Sequence, residues 1–250
     1  MEGMHLRVLP LALSLLAGSL TGADLSLLHA RRAQALLGPD VWSQIIRIEN
    51  TDRLSAYPPV LHAVVFELAG ILWFYTDFNG TQSFSLHRGR LAEEKADFAP
   101  LLRDIEPGFR RWQVVEVDLA ATGSVAPDAP LPNGCFIESY AAYRLRVARG
   151  TPISDARLLS YYLGGASGLR AGHTVLTYSV PGGLAVVDPA EPGQERLLAR
   201  SSGADPVRLA RVLQGGAVAR ARLIPLEPPA SAVRRDPVAM AATAGRELPQ

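Results

Sequence analysis

Apolar and polar positions change period several times along this chain, and each change marks an element. In "LSLLHARRAQALLG" the leucines recur at helical spacing, with Asp24 placed to cap the start and Gly38 to end the helix. The next apolar runs are shorter and richer in β-branched and aromatic residues. "VWSQIIRIEN" predicts a strand, and "LHAVVFELAGILWFYTDFNGTQSFSLH" predicts a three-stranded meander with turns at Ala69-Gly70 and Asn79-Gly80. A short helix is expected from Asp97 in "DFAPLLRDI", then a strand in "WQVVEVDL". "AATGSVAPDAPLPNG" is rich in Ala, Pro and Gly and reads as a linker or surface loop.

Helical period returns in "CFIESYAAYRLRVAR", where Phe136, Tyr140, Tyr143 and Leu145 or Val147 fall close to one face. Asn133 or Gly134 serves as the N-cap there, and Gly150 as the stop. "DARLLSYYLGG" is read as a second short helix, "GHTVLTYSVPGGLAVVDP" as a hairpin turning near Pro181-Gly182, and "PVRLARVLQGG" as a last helix. The expected fold class is therefore α+β. A β-meander region at 24–120 precedes a half at 126–224 in which the Cys135 helix packs on an antiparallel sheet, and 225–250 form a flexible tail.

Composition narrows the function classes. With 48% hydrophobic and 20% charged residues in 250, the chain is globular rather than disordered. Its 25 basic and 24 acidic residues are interleaved and form no basic stripe, so nucleic acid is not an expected partner. No Cys/His spacing suits a metal, and no glycine-rich loop suits a phosphate, so no cofactor is expected. Residues 1–23 have a weakly basic start, an apolar stretch and small residues at Thr21-Gly22-Ala23, the pattern of a secretory signal. That stretch is short of the roughly 20 residues of a membrane span, so a periplasmic or secreted location without a stable span is expected. A cytoplasmic location follows if the segment is not a signal.

Cys135 is the only cysteine. At the start of a helix it meets free backbone N–H groups and the positive end of the dipole, an environment that favours the nucleophilic thiolate. His173 heads a strand in "GHTVLTY", and Asp188 ends the next in "GLAVVDP". A tight hairpin between them pairs Asp188 with a residue near Val175, which makes His173 its diagonal neighbour at about 7–8 Å between Cα atoms. A one-residue slip would send the two to opposite faces. In this constellation His173 takes the thiol proton and Asp188 orients the ring. The backbone N–H of Cys135 is one oxyanion donor, and Asn133 or Gln113 is a candidate for the second. His29, His62 and His87 are read as structural or surface residues. The competing reading makes Cys135 a packed core thiol.

"NGCFIESYAAYRLR…GHTVLTY…GGLAVVDP" resembles the transglutaminase-like and papain-like cysteine peptidase superfamily over about residues 131–189. The resemblance implies a Cys135–His173–Asp188 triad that cleaves peptide or amide bonds, or transfers the acyl group to an amine, with a peptide or protein as substrate. The chain departs from the family pattern after the cysteine, where Phe136-Ile137-Glu138 stand in place of the usual Trp or Gly neighbours. An inactive peptide- or partner-binding domain of the same fold in the cell envelope is the alternative that the resemblance leaves open.

Overall fold

The computed structural model describes residues 22–84, 90–116, 130–165, 168–199 and 205–227. The expected export segment to residue 21, most of the linker (117–129), the tail from 228 and His87 lie outside them. The architecture is α+β. It comprises α1 (Gly22–Leu37), β1 (Ser43–Asn50), β2 (Val60–Leu68), β3 (Ile71–Thr76), β4 (Gly80–Ser83), α2 (Leu91–Ala96), α3 (Ala99–Ile105) and β5 (Phe109–Val114). The second half adds α4 (Cys135–Ala148), β6 (Ser154–Gly165), β7 (Gly168–Val180), β8 (Gly183–Val187), β9 (Glu195–Leu198), α5 (Pro206–Gln214) and β10 (Val218–Pro225). The strands form two five-stranded antiparallel sheets, ordered β4-β3-β2-β1-β5 and β10-β6-β7-β8-β9. No described helix is long and apolar enough to cross a membrane.

Strand alternation assigns the layers. In the first sheet Val64, Phe66, Trp73 and Tyr75 face inward, while Ala63, Val65, Leu72 and Phe74 face outward. The outward set packs under Phe98 and Leu102 at the start of and within α3. In the second sheet Leu158, Leu176, Tyr178 and Val187 face inward, and Leu159, Tyr161, Val175 and Val186 pack under Leu209 and Ala210 of α5. Helices α1 and α4 contribute Leu37, Ile137 and Tyr143 to the cluster that the two inner faces share. The boundary between 24–120 and 126–224 thus separates two sheets rather than two cores.

One expected helix is a strand. "DARLLSYYLGG" forms most of β6, between β10 and β7. Leu158 points to the α4 side and Leu159 and Tyr161 to the α5 side, so both faces are covered. A strand buried on both faces loses the polar alternation that would have marked it. The meander, the Cys135 helix, the hairpin and α5 all form where their patterns place them. The strand expected in "WQVVEVDL" begins earlier, at Phe109. The helix expected from Asp97 begins at Ala99, whose N–H is bonded by the Asp97 carboxylate at 2.9 Å.

Two buried groups link α1 to β2. The Ser26 hydroxyl lies 2.9 Å from His62 Nδ1, and the His62 backbone N–H donates to the same oxygen at 3.2 Å. Burial holds the His62 pKa below 6.5, against the opposing pull of the Ala23 carbonyl. As pH falls below 6.5 the unfolded chain takes up a proton that the native ring resists, so this group removes stability on the acid side. His62→Gln should therefore lose less melting temperature than the wild type between pH 7 and pH 5. Thermal melts at both pH values measure this, and an equal loss would contradict it.

Candidate active site

The site is built around the turn before α4. The Gly134 N–H donates to the Leu131 carbonyl at 3.0 Å, and the Leu131 N–H to Glu138 Oε1 at 2.7 Å. From the first sheet, the Tyr75 hydroxyl donates to the Pro132 carbonyl at 2.9 Å. The Asn133 amide nitrogen donates to the Asp77 and Phe78 carbonyls at 2.8 and 3.1 Å. Asn133 sits at φ +53, a left-handed conformation that asparagine tolerates well. Gly80 is required opposite it, because an added Cβ would lie 2.9 Å from the Asn133 carbonyl oxygen and Gly80 itself has φ +71. The turn is tied both to its own helix and to the β3–β4 loop.

With the turn fixed, Gly134 is the N-cap and Cys135 is the first residue of α4. The first-turn N–H groups have no partner within the helix. Ser139, one turn on, donates its hydroxyl to the Thr174 carbonyl at 2.9 Å and ties the helix start to β7. Cys135 is partly exposed and unpaired by any disulfide.

His173 lies on β7 opposite Tyr161 of β6. The ladder to β8 ends at the Leu176–Val187 pair, so no β8 residue pairs with β7 at His173. The ring meets Tyr161 edge-on on the α5 side, with centroids 5.7 Å apart. Nε2 contacts Asp188 Oδ1 at 2.9 Å. Asp188 is one residue past the end of β8 and also accepts the Ala190 N–H at 2.9 Å, which fixes the carboxylate. The Cys135 thiol, which borders the same cavity, lies close enough to the ring to be the largest influence on it, and raises the His173 pKa above 6.5. Burial opposes the rise, and the negative charge of Asp188 adds to it. The dyad is open to solvent, with side-chain exposures of 25% for His173 and 21% for Asp188.

Cys135 and His173 border one cavity of about 280 Å³. Ser160 and Thr174, paired across β6 and β7, line it together with Tyr162, while the β3–β4 turn forms the opposite wall. The structure thus brings Cys135 and His173 to one cleft, with Asp188 hydrogen-bonded to His173. Behind His173, Tyr161 accepts a hydrogen bond from Gln214 Nε2 at 2.6 Å, and burial pushes its hydroxyl pKa to about 12.

The two side chains offered as second oxyanion donors do not serve. Gln113 is exposed on β5, at the edge of the first sheet farthest from β4. Four strand spacings, on the order of 19 Å, separate those edges, so Gln113 is removed from the cleft. Asn133 does border the cleft, but its amide nitrogen is committed to two carbonyls of the β3–β4 turn. It positions the cysteine turn instead. His29, expected to be structural or at the surface, is hydrogen-bonded through Nδ1 to Asp77 Oδ2 at 2.7 Å and braces that same turn from α1.

Sequence reasoning missed Ser139, Tyr75 and Tyr161. Only Ser139 left a trace, as a hydroxyl one helical turn after the cysteine in an otherwise apolar face. Comparison with family models, with curated proteins and with solved structures finds no match for this chain.

Proposed function

We propose that this protein is a thiol-dependent hydrolase or acyltransferase acting on peptide or amide bonds, with the helix-on-sheet arrangement of the transglutaminase-like and papain-like enzymes that residues 131–189 resemble. The observation that carries the reading is a thiol and an imidazole on the wall of one open cleft, with a carboxylate hydrogen-bonded to that imidazole. A packed structural cysteine has no need of a histidine that is itself oriented by a fixed aspartate.

In this mechanism His173 accepts the Cys135 proton, and Asp188 stabilises the resulting imidazolium. The sulfur attacks the substrate carbonyl carbon, a C–S bond forms, and the carbonyl oxygen becomes an oxyanion facing the Cys135 N–H. Collapse breaks the C–N bond. The departing amine takes the proton from His173 and leaves a thioester on Cys135. Water or a second amine, deprotonated by His173, then attacks the thioester and restores the thiol. Which nucleophile enters decides between hydrolysis and transfer.

Incubating the protein with a peptide library, with and without a primary amine, and reading products by mass spectrometry tests this. Cleaved or amine-coupled products should form with the wild type and disappear with Cys135→Ala. Product formation unchanged by Cys135→Ala would refute the reading.

A further inference from the structure

The cleft lining carries no lysine or arginine of its own, and an arginine lies one strand beyond it. Twelve residues line it, and none is an aspartate or glutamate. Its floor continues sideways across the second sheet. Arg222 of β10 is the cross-strand partner of Ser160, which pairs in turn with Thr174 of β7. Arg220 lies opposite Tyr162, with its guanidinium 5.9 Å from the ring centroid. Arg222 alternates in phase with Ile224, which belongs to the inner core, so it too points between the sheets.

The surroundings of Arg222 are unusual for a cation. Its guanidinium lies 4.5 Å from the centroid of Trp73, which packs at 4.5 Å against the cleft-lining Phe136. It is partly buried, and burial works against its charge. Among the described residues it has no carboxylate partner and no hydrogen bond, while other arginines of the chain, such as Arg157 and Arg196, are paired with acids. A half-buried cation without a partner is unfavourable unless a ligand supplies the anion. A guanidinium held against an aromatic ring can still present its N–H groups to a carboxylate, which they match in geometry.

We infer that the cleft selects acyl substrates that carry a carboxylate, and that Arg222, beside Ser160, binds it. Arg222 is a specificity residue here. The inference rests on Cys135 being the nucleophile of the same cleft. The carboxylate can belong to an acidic side chain or to a chain terminus, and the probes below separate the two.

Three chloroacetyl dipeptides differ only in charge placement: glycylglutamine amide (neutral), glycylglutamate amide (side-chain carboxylate) and glycylglutamine free acid (terminal carboxylate). Each alkylates Cys135 as the S–C bond forms and chloride leaves, and intact mass gives the rate. At low ionic strength, one anionic probe should react about tenfold faster than the neutral one, as expected for a hydrogen-bonded charge pair. Added salt should erode that advantage in the wild type, with no variant needed. Arg222→Met should abolish it, and Arg222→Lys should retain part of it. Equal rates for all three probes in the wild type, or an advantage that survives in Arg222→Met, would overturn the inference while leaving the thiol chemistry intact. Failure of every probe and of iodoacetamide in the native protein would overturn the thiol reading and this inference with it.

Discussion

His173→Ala should slow the alkylation of Cys135 by iodoacetamide at pH 6 by about a hundredfold, the lower end of what a positioned acid–base partner contributes. The thiolate is the reacting species, and a cation beside the sulfur favours it. His173 can supply that cation, because its pKa is raised above 6.5 by the neighbouring thiol and by Asp188. Removing the imidazole removes the proton acceptor and the counter-charge together. Asp188→Asn should produce a smaller fall in the same direction, because the neighbouring thiol is the larger cause of the raised pKa and the carboxylate charge the lesser. The contribution of the native His173 ring to stability depends on pH in the opposite sense to that of His62. A histidine with a raised native pKa contributes stability that is complete below 6.5 and lost as pH rises through the raised value. Alkylation rates followed by intact mass, with circular dichroism to establish folding, measure the effect. A His173→Ala rate equal to the wild type would mean that the sulfur gains nothing from the ring.

Much of this site was legible in the sequence because short-range rules govern its parts. Asn133-Gly134 followed by an amphipathic run placed Cys135 at a helix start, and Gly134 is the cap. The hairpin register followed from the turn at Pro181-Gly182. Val180 pairs with Gly183 and Leu176 with Val187, so Asp188 falls opposite Val175, a diagonal step from His173. What failed depended on tertiary context. β6 reads as a helix because helices cover both of its faces, and periodicity alone does not separate a doubly buried strand from a buried helix. Gln113 could not be excluded as a donor without the strand order, and a β1 that pairs with both β2 and β5 carries it to the far edge. Arg222 was invisible for the same reason. Its closeness to the cleft comes from pairing with Ser160, more than sixty positions away in the chain.

Trp73→Ala should be the most destabilising of these substitutions, at about 3–5 kcal/mol, the usual range for truncating a buried tryptophan. Trp73 is fully buried on the inner face of β3, where the two sheets meet. Its ring contacts Phe136 on one side and the Arg222 guanidinium on another, and its Nε1–H donates to the Leu68 carbonyl at 3.0 Å. Alanine would leave a cavity in the shared core and the Leu68 carbonyl without its donor. Against a total stability of about 5–15 kcal/mol for a folded protein, such a loss is a large fraction. Trp73→Phe keeps most of the ring contact and loses only the N–H bond, so its cost should be clearly smaller. Urea titrations followed by circular dichroism measure both, and a loss under about 1 kcal/mol for Trp73→Ala would show that the sheets do not depend on this contact. The substitution should also reach the chemistry before the protein unfolds. Phe136 follows Cys135 directly, and Trp73 is one of the two aromatic rings of the first sheet packed against it. With that ring gone, the first turn of α4 is held less firmly, and Cys135 alkylation should slow in urea concentrations too low to unfold the variant.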